Sequence, residues 1–130
     1  MFFNRYFWPS FLLIIVIASL HITALSQEYY WTIWWYDVMM HFLGGAWTAL
    51  FILWITHIIP RPGVLRLANP LSLVFLVIMV GIVWELYELL FELTTVSDPG
   101  YVLDTVKDFC MDTLGAVLVA VSWARQKISS

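Results

Sequence analysis

Asp37, Glu85, Glu88, Glu92, Asp104, Asp108 and Asp112 make up seven of the chain's nine carboxylates. Each stands inside, or at the mouth of, a segment otherwise apolar enough to cross a membrane, and His21 and His41 stand with them. An ionised side chain within hydrocarbon is costly, so such residues face a bundle interior and mark a site. Lys107 is the one cation among them, and one lysine with two histidines cannot neutralise seven carboxylates. Like charges held together repel, and desolvation adds to the cost. A site of this kind holds protons, binds a cation or opens to water. Oxygen-rich ligation with one or two histidines suits Mg²⁺, Mn²⁺, Ca²⁺ or Zn²⁺, and a histidine-plus-carboxylate set also suits iron. The expected ligands to a divalent metal ion are a subset of Asp37, His41, Glu85, Glu88, Asp104 and Asp108. Asp112 or Glu92 is then a base or a residue that orients a ligand. Glu85-x-x-Glu88 is not the Glu-x-x-His of di-iron bundles. Plainer roles stand beside these. Asp37, Glu92 and Asp104 also fit helix ends, where an acid in the first turn is favoured by the dipole. The deeper acids also fit protonated bonds between helices, and His41 a packed histidine oriented by Asp37. No serine or cysteine nucleophile with a partner base is visible.

The spacing places these groups on helix faces. Asp104, Asp108 and Asp112 run i, i+4, i+8, with Gly115 in their arc. Glu85, Glu88 and Glu92 run i, i+3, i+7, with Gly81 on the same stripe. Asp37 and His41 are i, i+4, followed by Gly44 and Thr48. Polar stripes that continue into small residues predict close helix contacts, with the stripes pointing at one another.

The elements that carry them are read from hydropathy. The chain has 130 residues, is 62% hydrophobic and only 12% charged, and has a mean hydropathy of +0.88. A soluble domain is nearer one-quarter charged, so the expected solvent is lipid. Four segments approach the roughly 20 residues that span a hydrocarbon core: Trp8–Leu25, Val38–Ile59, Leu71–Leu93 and Val102–Trp123. They form one transmembrane domain over residues 1–130. Pro60, Pro62, Gly63 and Pro70 break the chain between the second and third, and Asp98-Pro99-Gly100 between the third and fourth. Arg5 followed by the run from Phe7 to Leu25 resembles a signal peptide, but a clear small-x-small cleavage site is missing, so it reads as a retained helix. The net charge of −3 and the lack of a basic run point to no nucleic-acid partner. Cys110 is single, so no internal disulfide forms; it reads as a small buried or lipid-facing side chain.

Charge sets an orientation. Arg5, Arg61, Arg66, Arg125 and Lys127 fall at one end of the four spans, and the loops Ser26–Tyr36 and Thr94–Tyr101 carry no Lys or Arg. By the positive-inside rule both termini are cytoplasmic. The acids and His41 then descend from the external face. His57, at the inner end, reads as interfacial or satisfied by a local bond. Tyr29, Tyr30, Trp31, Trp34, Trp35 and Tyr36 read as an interfacial aromatic belt, with stacking on bases or sugars as the sharper alternative.

Three stretches carry a resemblance: Tyr36-Asp37-x-x-x-His41-Phe42-x-Gly44-Gly45, Trp84-Glu85-x-x-Glu88, and Asp104-Thr105-x-x-Asp108-x-x-x-Asp112-x-x-Gly115-Ala116. Together they resemble the YjdF-type family of uncharacterised bacterial inner-membrane proteins, and are more distantly similar to VanZ-like proteins. The resemblance covers about Tyr36 to Ala116. It implies a polar membrane site and a bacterial inner-membrane location, but no settled reaction. This chain is shorter, with fewer spans than the YjdF type leads one to expect.

The expected protein is therefore an all-α, four-helix membrane bundle with an acidic, histidine-containing site open to the external side. Its expected role is to bind a divalent cation in support of chemistry on an envelope or lipid substrate, as a metal-dependent membrane hydrolase or transferase if it is an enzyme. A proton- or cation-coupled small transporter and a noncatalytic accessory subunit are the rivals. Membrane lipids, and a possible second copy of the chain, are the expected partners.

Overall fold

The computed structural model describes residues 3–128, with the side chains of 127 and 128 excepted. The described residues form helices and turns, with no strand. Four long helices carry the fold: α1 (Phe7–Gln27), α3 (Tyr36–Ile58), α5 (Pro70–Leu90) and α6 (Tyr101–Ile128). Two single-turn helices, α2 (Tyr29–Thr32) and α4 (Pro62–Leu65), lie in the connections.

Local chemistry fixes the ends. Glu28 adopts a left-handed conformation (φ 58°), and its N–H closes α1 on the Ala24 carbonyl. This is the usual way a helix satisfies its last carbonyls before the chain turns. Pro70 occupies the first turn of α5, and the Asn69 side chain accepts the Ser72 N–H at 3.0 Å, which combines two strong start signals. Before α6, the Asp98 carboxylate accepts the Thr95 N–H at 2.8 Å and the Thr95 hydroxyl at 2.9 Å. Gly100 then supplies a left-handed turn (φ 91°).

The helix bounds differ from the expected spans by a few residues at most of their ends, and α6 runs on to Ile128. One difference matters for the site. α5 ends at Leu90, Phe91 caps it, and Glu92 adopts φ 56° beyond it. The seven-residue stripe therefore stops one step short, and Glu92 leaves the face shared by Glu85 and Glu88.

α1, α3 and α5 are long and apolar enough to cross a membrane. α6 falls outside that set, because Asp104, Lys107, Asp108 and Asp112 crowd its first half. The molecule is apolar on the outside: Leu71 and Leu90 are 80% and 77% exposed, while His41, Glu85, Asp108 and Asp112 are buried. That inversion suits a lipid solvent, where polar side chains turn to the bundle interior.

α3 and α6 are the central pair; α5 packs on α6 and less closely on α3, and α1 packs on α3. The interior is layered. At the end carrying Arg5 and Arg61, Tyr6, Leu53, Leu73, Ala120 and Trp123 form an aliphatic and aromatic core. Ala49, Val77 and Ala116 form a thin middle layer. The buried acids and His41 fill the opposite end.

Glycines set how near the central helices come. A β-carbon on Gly45 would run into the Asp112 backbone, 2.7 Å from its carbonyl carbon. One on Gly115 would strike the Phe42 carbonyl oxygen and come within 2.7 Å of the Ala46 nitrogen. Backbone thus meets backbone where α3 crosses α6, as small residues permit in lipid. The expected contact glycine on α3 was Gly44, which has nothing within 4 Å of such a carbon. The buried face of α3, through Gly45, Ala49 and Thr56, is rotated from the line joining Asp37 and His41. The acid-bearing stripe sits at the edge of the contact, not its centre.

Candidate functional site

The glycine crossing brings two i, i+4 pairs face to face, Asp37 with His41 on α3 and Asp108 with Asp112 on α6. His41 lies between them. Its Nε2 is 3.7 Å from Asp37 Oδ1 and 3.8 Å from Asp108 Oδ2, and its Nδ1 is 3.4 Å from Asp112 Oδ1. His41 and Asp108 are 7% and 3% exposed, while the Asp37 side chain, at 25%, stands at the open edge of the arrangement.

Hydrogen-bond chemistry shows what is missing. A neutral imidazole has one N–H and one lone pair. If Nδ1–H faces Asp112, Nε2 presents its lone pair to Asp37 and Asp108. Three acceptor atoms then converge, and they lie within 4.8 Å of one another. Asp108 Oδ1 is also buried and has no hydrogen-bond partner. Buried carboxylates left in this state are costly, and a positive charge at the shared point removes the conflict. Ligands about 2.1 Å from one ion stand roughly 3 to 3.5 Å apart; the two separations from His41 Nε2, 3.7 and 3.8 Å, exceed that by a few tenths of an ångström, and the whole group lies within 4.8 Å. The Asp37–His41–Asp108 group could therefore hold a metal ion, and Asp112 lies on the other side of the ring, where carboxylates commonly stand behind metal-bound histidines. Gly81 makes room for this from α5, since a β-carbon there would lie 2.7 Å from Asp112 Oδ2.

The other expected ligands lie elsewhere. Glu85 is buried, but its Oε2 accepts the Thr105 hydroxyl at 3.0 Å, tying α5 to α6. Glu88 is half-buried, and its Oε1 accepts the Trp84 indole N–H at 2.8 Å. Asp104 is exposed and paired with Lys107, so that lysine's nearest partner lies outside the buried cluster. Neither Glu85, Glu88 nor Asp104 belongs to the convergent group. The convergent group expected to include Glu85 and Glu88 with Asp108 is instead Asp37, His41 and Asp108, across α3 and α6. The reason is contact: those two helices pack closest, while α5 meets α3 only lightly. Glu92 is exposed past the end of its helix, whereas Asp112 Oδ1 lies 3.4 Å from His41 Nδ1.

The remaining polar and aromatic residues complete the surroundings. His21 Nδ1 and the Tyr30 hydroxyl are 2.7 Å apart, so His21 has a phenol for a partner. Burial, and then the charges of Asp37, Tyr36 and Glu88, hold the Tyr30 phenol well above its usual value. Tyr30 therefore stays neutral beside the acids. The Tyr36 hydroxyl donates to the Leu20 carbonyl at 2.9 Å, and its ring packs against Tyr29 and Tyr30. Trp31, Trp34 and Trp35 project outward. Thr105, Trp84 and Tyr30 are donors beside acids, a signal present in the sequence but legible only when the helix pairing is known. At the opposite end, His57 Nδ1 is 2.8 Å from the Leu53 carbonyl, a local bond within its own helix. Cys110 is an exposed free thiol on the outer face of α6.

A family described as "Predicted membrane protein (DUF2238)" matches residues 5–128, and the chain belongs to that family. No curated protein and no solved structure matches the chain.

Proposed function

We propose that this member of the predicted-membrane-protein family binds one divalent cation between α3 and α6, near the external face of a bacterial inner membrane. Asp37, His41 and Asp108 are the ligands and Asp112 holds the ring of His41. The observation that carries this is the convergence of one ligand atom each from Asp37, His41 and Asp108, which with His41 neutral and its Nδ1–H facing Asp112 are all acceptors. Four spans and cytoplasmic termini belong to the same reading. The exposed face of α6, with Val106, Leu114, Leu118 and Val121, is apolar, and its buried acids are turned inward, so lipid meets hydrocarbon on all four long helices. The polar membrane site that a YjdF-type or VanZ-like resemblance implies fits this placement. An ion held at the outer mouth could lower the pKa of a bound water and act on an envelope or lipid substrate. The apolar layers below it, through Ala49, Val77, Leu53 and Leu73, speak against a carrier, which needs access from both faces.

Metal content tests the reading directly. Protein purified in detergent without chelator is expected to carry about one divalent ion per chain, since open N/O sites of this kind load from available metal. His41→Ala and Asp108→Asn lose it, while Glu88→Gln, Glu92→Gln and Asp104→Asn keep it. Equal content in all five variants removes the site. Orientation is tested separately. A cysteine at Ser97, in a Cys110→Ser background, is expected to react with an impermeant reagent added to intact cells. Protection there, with labelling only after lysis, reverses the topology.

A further inference from the structure

We infer that the basic end of the bundle carries a binding site for one anionic phospholipid, its headgroup at Asn4-Arg5-Tyr6 and one acyl chain in the groove beside it. The groove measures about 460 Å³ and runs from Arg5 and Tyr6 along Leu53, Leu118 and Ser122, between the start of α1 and the second halves of α3 and α6. Its walls are apolar and its mouth is not. Arg5 and Tyr6 line it, and Asn4 stands next to them in the chain. The Arg5 guanidinium lies 4.8 Å from the centre of the Tyr6 ring. Tyr6 is 5% exposed, and its hydroxyl lies near enough to feel the Arg5 charge and accept from the guanidinium, while its own O–H has no acceptor among the described residues. The Asn4 side chain accepts the Tyr6 N–H at 2.9 Å through Oδ1. That bond fixes its amide, and its Nδ2 is left buried without an acceptor.

Buried donors without acceptors are rare and point to a missing partner. No carboxylate side chain can supply it, because all nine lie towards the opposite end of the molecule. Arg61 and Arg66 add positive charge at the same end. Charge complementarity therefore selects an anion, and the apolar groove running from it selects one with a hydrocarbon chain. An anionic phospholipid has both. The inference shares with the proposed function only the placement of the bundle in a membrane, so failure of the metal site leaves it standing.

Delipidated full-length protein in a nonionic detergent is titrated with phosphatidylglycerol, with phosphatidylcholine of the same chains, and with inorganic phosphate, and the thermal midpoint is followed. Phosphatidylglycerol is expected to raise the midpoint and to bind roughly fivefold more tightly than phosphatidylcholine, the gain one cation gives against an anionic headgroup. Inorganic phosphate produces no shift. Arg5→Gln brings the two lipids level. Ser122→Phe, which fills the groove and leaves Arg5 in place, weakens both. If Arg5→Gln does not fold, Tyr6→Phe removes only the hydroxyl, whose O–H has no acceptor, and is expected to lower phosphatidylglycerol affinity alone. Equal wild-type affinity for the two lipids, or a preference that survives Arg5→Gln or Tyr6→Phe, overturns the inference. A shift with inorganic phosphate as large as that with phosphatidylglycerol also overturns it, because the site would then read the anion without the chain.

Discussion

Gly45→Ala and Gly115→Ala are each expected to destabilise the folded bundle by about 3 kcal/mol or more, at or above the upper end of overpacking costs. The added methyl group in each case meets backbone on the facing helix: the Asp112 peptide for Gly45, and the Phe42 carbonyl with the Ala46 nitrogen for Gly115. A flexible side chain could swing away from such a methyl. A helix backbone cannot, so α3 and α6 must separate along their whole contact. Gly44→Ala is the control. It sits one residue away, has no atom within 4 Å of the new carbon, and gains up to about 1 kcal/mol of helix propensity. Reversible unfolding in mixed detergent, followed by circular dichroism for the three variants, reads the difference. If Gly45→Ala and Gly44→Ala behave alike, the close crossing is wrong. The site that depends on it then goes too, because the same separation draws Asp108 and Asp112 away from His41.

The second large effect separates a metal site from protonated glue between helices. An ion that binds only the folded state stabilises by mass action, by about 2.7 kcal/mol at 100 times its dissociation constant. Chelator should therefore lower the wild-type unfolding midpoint, and added divalent ion should restore it. Asp108→Asn removes a ligand and also relieves repulsion between the acids that remain. Its midpoint is expected to lie near that of the chelated wild type and to ignore chelator. Glu85→Gln is expected to respond to chelator as the wild type does, because Glu85 faces Thr105 and lies outside the ligand group. Glue behaves differently. Asn replaces a neutral acid almost isosterically, at roughly 1 kcal/mol or less for a bond between helices in lipid, and chelator touches neither protein. A wild-type midpoint indifferent to both chelator and added ions removes the metal reading.

Much of the fold is legible in the sequence because lipid makes composition decisive. An apolar run near the membrane thickness has one good solution, a helix with its backbone bonds closed within itself. Prolines, Asn69 and the Asp98-Pro99-Gly100 turn then mark where the runs must stop. The sorting of charge is legible for the same reason. With Arg5, Arg61, Arg66 and Arg125 at one end of every span and the acids at the other, the alternation of helix direction alone gathers the acids. His57 satisfied within its helix and the outward tryptophans of the first connection also follow from local pattern.

The membership of the site does not follow from that pattern. Period places Glu85, Glu88 and Asp108 at one depth, yet depth does not decide contact. Which acids meet depends on how far each helix is rotated about its axis and on which pair packs closest. Those quantities were set by Gly45 and Gly115, where two backbones touch, and by Gly81, which admits Asp112. A rotation from Gly44 to Gly45 is one residue in the sequence and about 100° on the helix. That rotation hands His41 to α6 and leaves Glu88 to Trp84. The end of α5 was likewise settled by Glu92 turning into a left-handed conformation, which took it off a stripe that the sequence alone continues. The sequence by itself thus determined the helices, their directions and the end at which the acids collect. Only the tertiary structure decided which of those acids gather around His41, because packing between helix backbones carries no periodic signature in one chain.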